Sequence, residues 1–355
     1  MPITSIRLQH FRSYDDQLFR LSPKINMIVG PNGSGKTNLL EALYTLARGK
    51  SFRVPVAELL QYDAEWFRIE AEVGEQQRAM TVRKVGDKLE KRLGVDGTTK
   101  ARLNAREQLR AVLFEPRDMQ LLTGSPERRR DYIDAMLEQL ELGYTRTLTH
   151  YRRALAQRNS LLKQSRQAPA DQLFVWNVRL SELGALLVTK RRTIVAALQR
   201  QAGELYSEIS GQKSVVELRY RSQVEDIDDA HLGSALLHAL EKKYAQDRMR
   251  GFTSVGPHRD DLSIVLNNVP ADISASRGET RTLVLMLKLL EAQLLAAHHE
   301  GRPLMLLDDV FGELDVQRRH ALATHLRDYQ VVITTTDAET VEKTLSPAPK
   351  VIRLK

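Results

Sequence analysis

The chain has 355 residues, 42% of them hydrophobic, no cysteine and a formal net charge of +8. The length allows two domains or one large domain with an insertion, and the absence of cysteine excludes disulfides and thiolate metal sites and fits a reducing compartment. With no run of 18 apolar residues and no basic start leading into an apolar stretch, neither a membrane helix nor a signal peptide is expected, while the basic balance points to a polyanionic partner such as nucleic acid.

Residues 3 to 14 alternate apolar and polar and predict a strand running into a turn. The apolar run Ile25-Asn26-Met27-Ile28-Val29 then leads into Gly30-Pro31-Asn32-Gly33-Ser34-Gly35-Lys36-Thr37. Leu39, Leu40, Leu43, Leu46 and Ala47 follow at helical spacing, up to Gly49. Strand, glycine loop and helix in that order are the context of a phosphate-binding P-loop. Its glycines let backbone N–H groups converge on the β- and γ-phosphates of ATP. Lys36 supplies a point charge, the Thr37 hydroxyl can hold Mg²⁺, and the helix points its positive end at the anion. From 65 to 103 the chain reads as β, with Trp66, Ile69 and Val73 on one strand, Met80, Val82 and Val85 on the next, and Asp96-Gly97 as a hairpin turn. Val112-Leu113-Phe114 predicts a short buried strand.

After Pro126 the character is helical. One helix is predicted over 127–163, then a break at Gln167-Ala168-Pro169-Ala170, then a second helix from Leu173 to Ile209 with a heptad seam interrupted at Lys190 and Gln201. The two form an antiparallel hairpin, a short coiled-coil-like arm, with a third helix over about 231–248. Arg128, Arg129, Arg130, Arg152, Arg153, Arg158, Lys163 and Arg166 on the first helix, and Lys190, Arg191, Arg192 and Arg200 on the second, suggest a track for DNA phosphates. No aromatic ladder interleaves them, so base stacking is not the expected mode.

From 250 onward β character returns, with a strand at Leu262-Ile264-Leu266, a turn at Asn267-Asn268 and a helix over 278–298. Leu304-Met305-Leu306-Leu307 is a buried strand ending in Asp308-Asp309. Beside a P-loop, Asp308 suits Mg²⁺ and Asp309 suits a base that polarises the attacking water. Upstream, Ser276-Arg277-Gly278-Glu279 opens a helix. It is either an ordinary N-cap with Glu279 as reciprocal partner, or a phosphate contact through Ser276 and Gly278. A helix from Asp315 and strands at Val331-Val332-Ile333 and 351–354 close the chain.

In this order, and split by a helical insertion, these motifs resemble the ABC-type ATPases of chromosome maintenance, the Smc and Rad50 group. Closer still is the RecF family of recombination-repair proteins. The resemblance rests on residues 35–44 (Gly-Lys-Thr-Asn-Leu-Leu-Glu-Ala-Leu-Tyr), 49–53 (Gly-Lys-Ser-Phe-Arg), 256–261 (Gly-Pro-His-Arg-Asp-Asp), 306–315 (Leu-Leu-Asp-Asp-Val-Phe-Gly-Glu-Leu-Asp) and 333–337 (Ile-Thr-Thr-Thr-Asp).

The resemblance implies an α/β fold, an ABC-type P-loop ATPase head formed by residues 1–125 and 250–355 with a helical arm at 126–249. It implies ATP and Mg²⁺ as ligands and two heads that sandwich ATP between one P-loop and the other's signature helix. Ser276 and Gly278 would touch the γ-phosphate held by Lys36 of a second copy, and Asp315 would line the seam. Thr336 or Asp337 stands where many relatives keep a histidine, Gln120 is the candidate for the glutamine loop, and Arg12 matches a residue that reaches nucleotide or DNA. The implied protein is cytoplasmic and nucleoid-associated. It is a slow, DNA-stimulated ATPase that dimerises on ATP, binds gapped or single-strand/duplex DNA, and helps RecR- and RecO-type mediators load a RecA-type recombinase in the SOS response. Two departures stand out: Glu279 replaces the usual glutamine, and Asp309 replaces the glutamate of transporter relatives, its shorter reach suggesting slow turnover. The alternatives are a structural Smc-type head, a transporter ATPase subunit and a nuclease-linked ATPase. The short arm, the basic charge and the lack of an acidic nuclease domain argue against each in turn.

Overall fold

The computed structural model describes residues 1–101, 107–164, 170–224 and 226–355. Arg166, the break at 167–169 and the end of the predicted β stretch at 102–103 lie outside them. The chain divides into two compact units: residues 1–118, 208–211 and 281–355 form the first, and 119–207 with 212–280 form the second.

β1 (Ile3–Phe11) turns through Arg12 into antiparallel β2 (Tyr14–Arg20). β3 (Ile25–Val29) is buried at all its positions and feeds the glycine loop. α1 (Lys36–Arg48) follows and is closed by Gly49 at φ 67, whose N–H bonds the Thr45 carbonyl, the usual left-handed helix stop. β4 (Trp66–Val73), β5 (Gln76–Val85), β6 (Lys88–Val95) and β7 (Thr98–Lys100) form a meander. The positive φ values of Asp96 and Gly97 make the predicted tight turn between its last two strands. β8 (Ala111–Phe114) is fully buried.

The helical stretch differs from the single helix expected over 127–163. α2 (Gln120–Thr123) precedes α3 (Pro126–Leu140), and α4 (Tyr144–Gln164) starts afresh after Gly143. At φ 85, Gly143 cannot continue a right-handed helix. α5 (Ala170–Ser210) runs antiparallel to α4: Arg158 Nε donates to Asn177 Oδ1 at 2.7 Å, and the Tyr151 ring lies against Gly184. β9 (Val216–Arg221), absent from the sequence reading, buries Val216, Leu218 and Tyr220 in strict alternation. The expected third helix is two, α6 (Leu232–Lys242) and α7 (Tyr244–Arg250). β10 (Asp261–Leu266) pairs with β9 and turns at Asn267-Asn268 into β11 (Val269–Pro270).

α8 (Ala271–Ser274) leads to α9 (Arg277–His298), then β12 (Leu304–Asp308), α10 (Val316–Leu326), β13 (Val331–Thr335), α11 (Ala338–Thr344) and β14 (Lys350–Arg353). In the first unit the strands build two sheets. One is antiparallel, ordered β2-β1-β4-β5-β6-β7; the other is wholly parallel, ordered β14-β3-β13-β12-β8. α1 packs against strands of both. Its Leu39, Leu40, Leu43 and Leu46 share one core with Ile6 and Leu8 of β1 and with Leu306 and Val332 of the parallel sheet. The inner part of a parallel sheet is buried on both faces, so β8 and β12 read as apolar runs, while the edge strand β14 keeps Lys350 and Arg353 exposed.

Candidate functional site

Ligands bind parallel α/β sheets in the crevice beyond the carboxyl ends of the strands. At that edge the glycine loop leaves β3, Asp308-Asp309 ends β12, and Thr334 to Asp337 end β13. Asp308 pairs in register with Thr334, and Thr335 with Val29. Gly33 and Gly35 take φ 86 and 94. A Cβ on Gly35 would also stand 2.9 Å from the Tyr14 hydroxyl, which donates to the Gly35 carbonyl at 3.0 Å. Tyr14 thus shapes the loop from the antiparallel sheet.

Lys36 Nζ donates to the carbonyls of Gly30 at 2.7 Å and Pro31 at 2.8 Å, which bends its stem back over the loop. The Ser34 hydroxyl is buried with no hydrogen-bond partner among the described residues. Thr37 Oγ1 donates to Asp308 Oδ1 at 3.0 Å, and Thr334 Oγ1 donates to the same oxygen at 2.7 Å. Two neighbouring ligands on an octahedral Mg²⁺, each about 2.1 Å from the ion, stand about 3 Å apart. The Thr37 and Asp308 oxygens therefore fit such an ion, with Thr334 orienting the carboxylate from behind. Asp309 is exposed in the left-handed region at φ 52, its N–H bonding Thr334 Oγ1 at 3.0 Å. Strain of that kind collects at functional sites. Thr336 and Asp337 are exposed, and the Asp337 N–H bonds Thr335 Oγ1.

The stretches 35–44 and 49–53 meet around one buried carboxylate. Glu41 of α1 accepts Arg12 Nε at 2.9 Å, Arg12 Nη2 at 3.1 Å and Ser51 Oγ at 2.5 Å. Arg12 also donates to the Glu58 carbonyl at 3.0 Å, so its guanidinium anchors α1.

The signature segment lies in the second unit up to Thr280. Ser276 and Glu279 form a reciprocal capping box: the Ser276 N–H bonds Glu279 Oε2 at 2.8 Å, and the Glu279 N–H bonds Ser276 Oγ at 3.3 Å. The carboxylate that replaces glutamine therefore has a local role. Ser276 is exposed and Gly278 half-buried. In the first unit Asp315 caps α10 through the Arg318 N–H at 2.9 Å, while Arg318 Nε reaches Thr282 Oγ1 on α9 at 2.6 Å. Burial pushes the Asp315 carboxyl up, but the Arg318 bonds outweigh it and hold it below its ordinary value. Gln120 is exposed at the start of α2.

The proposed phosphate track is corrected by burial. Arg129, Arg158 and Arg191 are inside the second unit, facing Asp261, Asp247 and Asp134 at 2.7–2.9 Å. A buried charge needs a partner, and these arginines spend theirs on the fold. Arg128, Arg152, Arg153, Lys163 and Arg200 stay exposed, and Lys190 pairs with Glu141. Both ring nitrogens of His258 are engaged inside the second unit. Its Nε2–H donates to the Thr253 carbonyl at 3.0 Å, which leaves Nδ1 to accept the Tyr151 hydroxyl at 2.7 Å. Burial lowers it to about 4, so it is neutral at pH 7.

Residues 2–353 match the family model of the RecF/RecN/SMC N terminal domain. The DNA replication and repair protein RecF of Herpetosiphon aurantiacus is 37% identical over 367 residues, covering 96% of this chain and 94% of that one. RecF of Staphylococcus carnosus is 32% identical over 363 residues, covering 100% and 98%. Among solved structures, the recombination mediator protein RecF-ATPrS of the RecFOR pathway superposes with a TM-score of 0.89 at 29% identity, covering 99% of this chain and 96% of that one. An Smc head bound to the C-winged helix domain of ScpA superposes with a TM-score of 0.56 at 15% identity over 99% and 94%, a likeness of fold alone. The chain belongs to the RecF family of DNA replication and repair proteins.

Proposed function

We propose that this chain is an ATP-dependent DNA-binding protein of recombinational repair and replication-fork maintenance, in which ATP joins two copies. The observation that carries the reading is the convergence of Lys36, Thr37 and Asp308 at the carboxyl edge of one parallel sheet, with the Thr37 and Asp308 oxygens 3.0 Å apart. Residues Gly30 to Thr37 take the triphosphate: the loop N–H groups and Lys36 hold the β- and γ-phosphates, while Thr37 and Asp308 hold Mg²⁺. An ion held by Thr37 and Asp308 would supply positive charge against the phosphates. Asp309 orients the attacking water, its shorter reach makes turnover slow, and DNA stimulates the reaction. Two solved relatives are RecF-ATPrS and RecF-ATP, which supports ATP as the nucleotide.

Ser276 and Gly278 engage the γ-phosphate held by the other copy, and Asp315 lines the seam. ATP is then a ligand that binds the dimer better than the monomer, which is what lets it act as a switch. On this reading the head is residues 1–125 with 250–355 and the arm is 126–249, a functional division that departs from the packing units at 119–125, 208–211 and 250–280. The DNA is gapped or a single-strand/duplex junction. Mediators of the RecR and RecO type and a RecA-type recombinase are the protein partners, in the cytoplasm on the nucleoid during the SOS response. Among the described residues no helix is long and apolar enough to cross a membrane.

Light scattering with a non-hydrolysable ATP analogue tests this directly. The parent should double in mass. Ser276→Arg should bind the analogue normally and stay single, because a long cation fills the space the phosphate needs. A parent that remains a monomer with saturating analogue and DNA defeats the proposal.

A further inference from the structure

The Gly256-Pro257-His258-Arg259-Asp260-Asp261 stretch has no part in the nucleotide reading, yet it is bonded on many sides within the second unit. Arg191 donates to the Pro257 carbonyl at 2.7 Å, Arg130 donates to the Asp260 carbonyl at 2.7 Å, and the Tyr220 hydroxyl donates to Asp260 Oδ2 at 2.6 Å. Its last residue, Asp261, receives Arg129 through two parallel bonds, Nε to Oδ1 at 2.7 Å and Nη2 to Oδ2 at 2.8 Å. The remaining nitrogen, Nη1, donates to the Gly124 carbonyl at 2.9 Å and lies 3.4 Å from the carbonyls of Leu121 and Leu122. Those are the carbonyls at the end of α2, the single turn that Gln120 opens, and so short a helix has too few internal donors to satisfy them. α2 also packs on α8, α8 packs on β10, and α8 ends at Ser274, two positions before Ser276.

One guanidinium therefore ties three pieces together: the Gln120 turn, the start of β10, and through them the segment that delivers Ser276. Stability alone does not call for such a pair, since a well-packed apolar substitute is often as stable. What the two-pronged bond adds is a fixed orientation, because a planar guanidinium and a planar carboxylate meet in one geometry.

We propose that Arg129 and Asp261 are positioning residues for the nucleotide-driven dimer. They hold the Gln120 turn and the signature segment as one body, so that Ser276 and Gly278 are presented in register to the nucleotide of the second copy. The inference rests on the reading that the signature completes that copy's site. It predicts a division of labour, because the glycine loop belongs to the other packing unit. Breaking the pair should spare nucleotide binding and damage dimerisation.

The test uses the full chain and three variants. Arg129→Lys keeps the charge and loses the fork. Asp261→Asn keeps the shape and loses the charge. Arg158→Lys disturbs a more deeply buried pair, with Asp247, that bonds neither α2, α8 nor β10. For each, fluorescent ATP-analogue binding, the analogue-driven monomer–dimer constant by sedimentation, and the melting temperature are measured. Arg129→Lys and Asp261→Asn should bind the analogue like the parent while their dimer constant weakens about tenfold or more, the scale of a lost charged hydrogen bond. Arg158→Lys should lose as much melting temperature and dimerise like the parent. Should Arg129→Lys fail to fold, the nearly isosteric Asp261→Asn decides alone. Parent-like dimerisation of Asp261→Asn, or equal weakening by Arg158→Lys, overturns the proposal. A parent that does not dimerise, or a Ser276→Arg variant that does, defeats the underlying reading instead.

Discussion

Lys36 is set by two main-chain carbonyls, those of Gly30 and Pro31, so its position is a property of the loop and not of the rest of the helix. Lys36→Ala should lower ATP affinity by about a hundredfold or more, since a charge-assisted bond to phosphate and its long-range attraction go together. Equilibrium binding of a fluorescent analogue reads this, and normal binding would refute the loop assignment. A second residue makes a pH prediction. Glu291 and Lys288 lie a turn apart on α9, both buried, with Asp118 3.2 Å from the Lys288 ammonium and Glu291 3.9 Å from it. Burial pushes the Glu291 carboxyl up to about 7 from 4.5, while Asp118 serves Lys288 as counterion. The folded state therefore holds the Glu291 proton more tightly than the unfolded chain. Its favourable contribution is complete below about pH 4.5 and is lost as pH rises through 7. Glu291→Gln should raise the stability at pH 8 by about 1 to 3 kcal/mol and change little near pH 4.5. Thermal melts at both values check it, and a gain independent of pH would show that the carboxyl is not the cause.

Elements carried by apolar spacing were legible before any coordinates. The strand–loop–helix at 25–48, the helix at 277–298, the Asp-Asp strand and the Asp96-Gly97 hairpin all declare themselves through period, glycine or a strand end. What was missed has physical causes. β9 alternates apolar and charged residues in the sequence itself, but it is only six residues long, and its pairing with β10 is what makes one face an inside. The stop between α3 and α4 turns on Gly143, which a helical apolar pattern passes over. Among the described residues, its chain neighbours apart, no atom lies within 4 Å of where its Cβ would be, so Gly143→Ala should cost only the left-handed backbone term, about 1 kcal/mol in denaturant melts, with ATP binding unchanged. A cost several times larger would mean that the turn also carries packing. The buried arginines were the harder case. Arg158 meets an aspartate 89 positions on and Arg191 one 57 positions back, and no local pattern separates such a residue from a solvated one. Charge on a helix reads as surface until its counterion is located.

At the scale of the whole molecule, the proposed DNA binding would draw on the net charge of +8 and on the exposed Arg128, Arg153, Lys163 and Arg200. DNA affinity should fall steeply as salt rises from about 50 to 200 mM, and each of Arg153→Ala and Arg200→Ala that removes a phosphate contact should lower the salt slope by about 1. Filter or fluorescence titration across salt measures it, and a flat response would rule out a backbone-tracking mode. The parallel sheet sets a further condition on the molecule. Its strand β3 lies between β13 and β14, and Thr37 finds Asp308 271 positions further along. While a ribosome is still making the helices between them, β3 has emerged with both edges bare and, Asn26 apart, only apolar side chains. A nascent chain at that stage is a candidate for chaperones. Ribosome release then comes before β3 gains both of its neighbours, and a prematurely terminated product that lacks β12 to β14 keeps those edges bare.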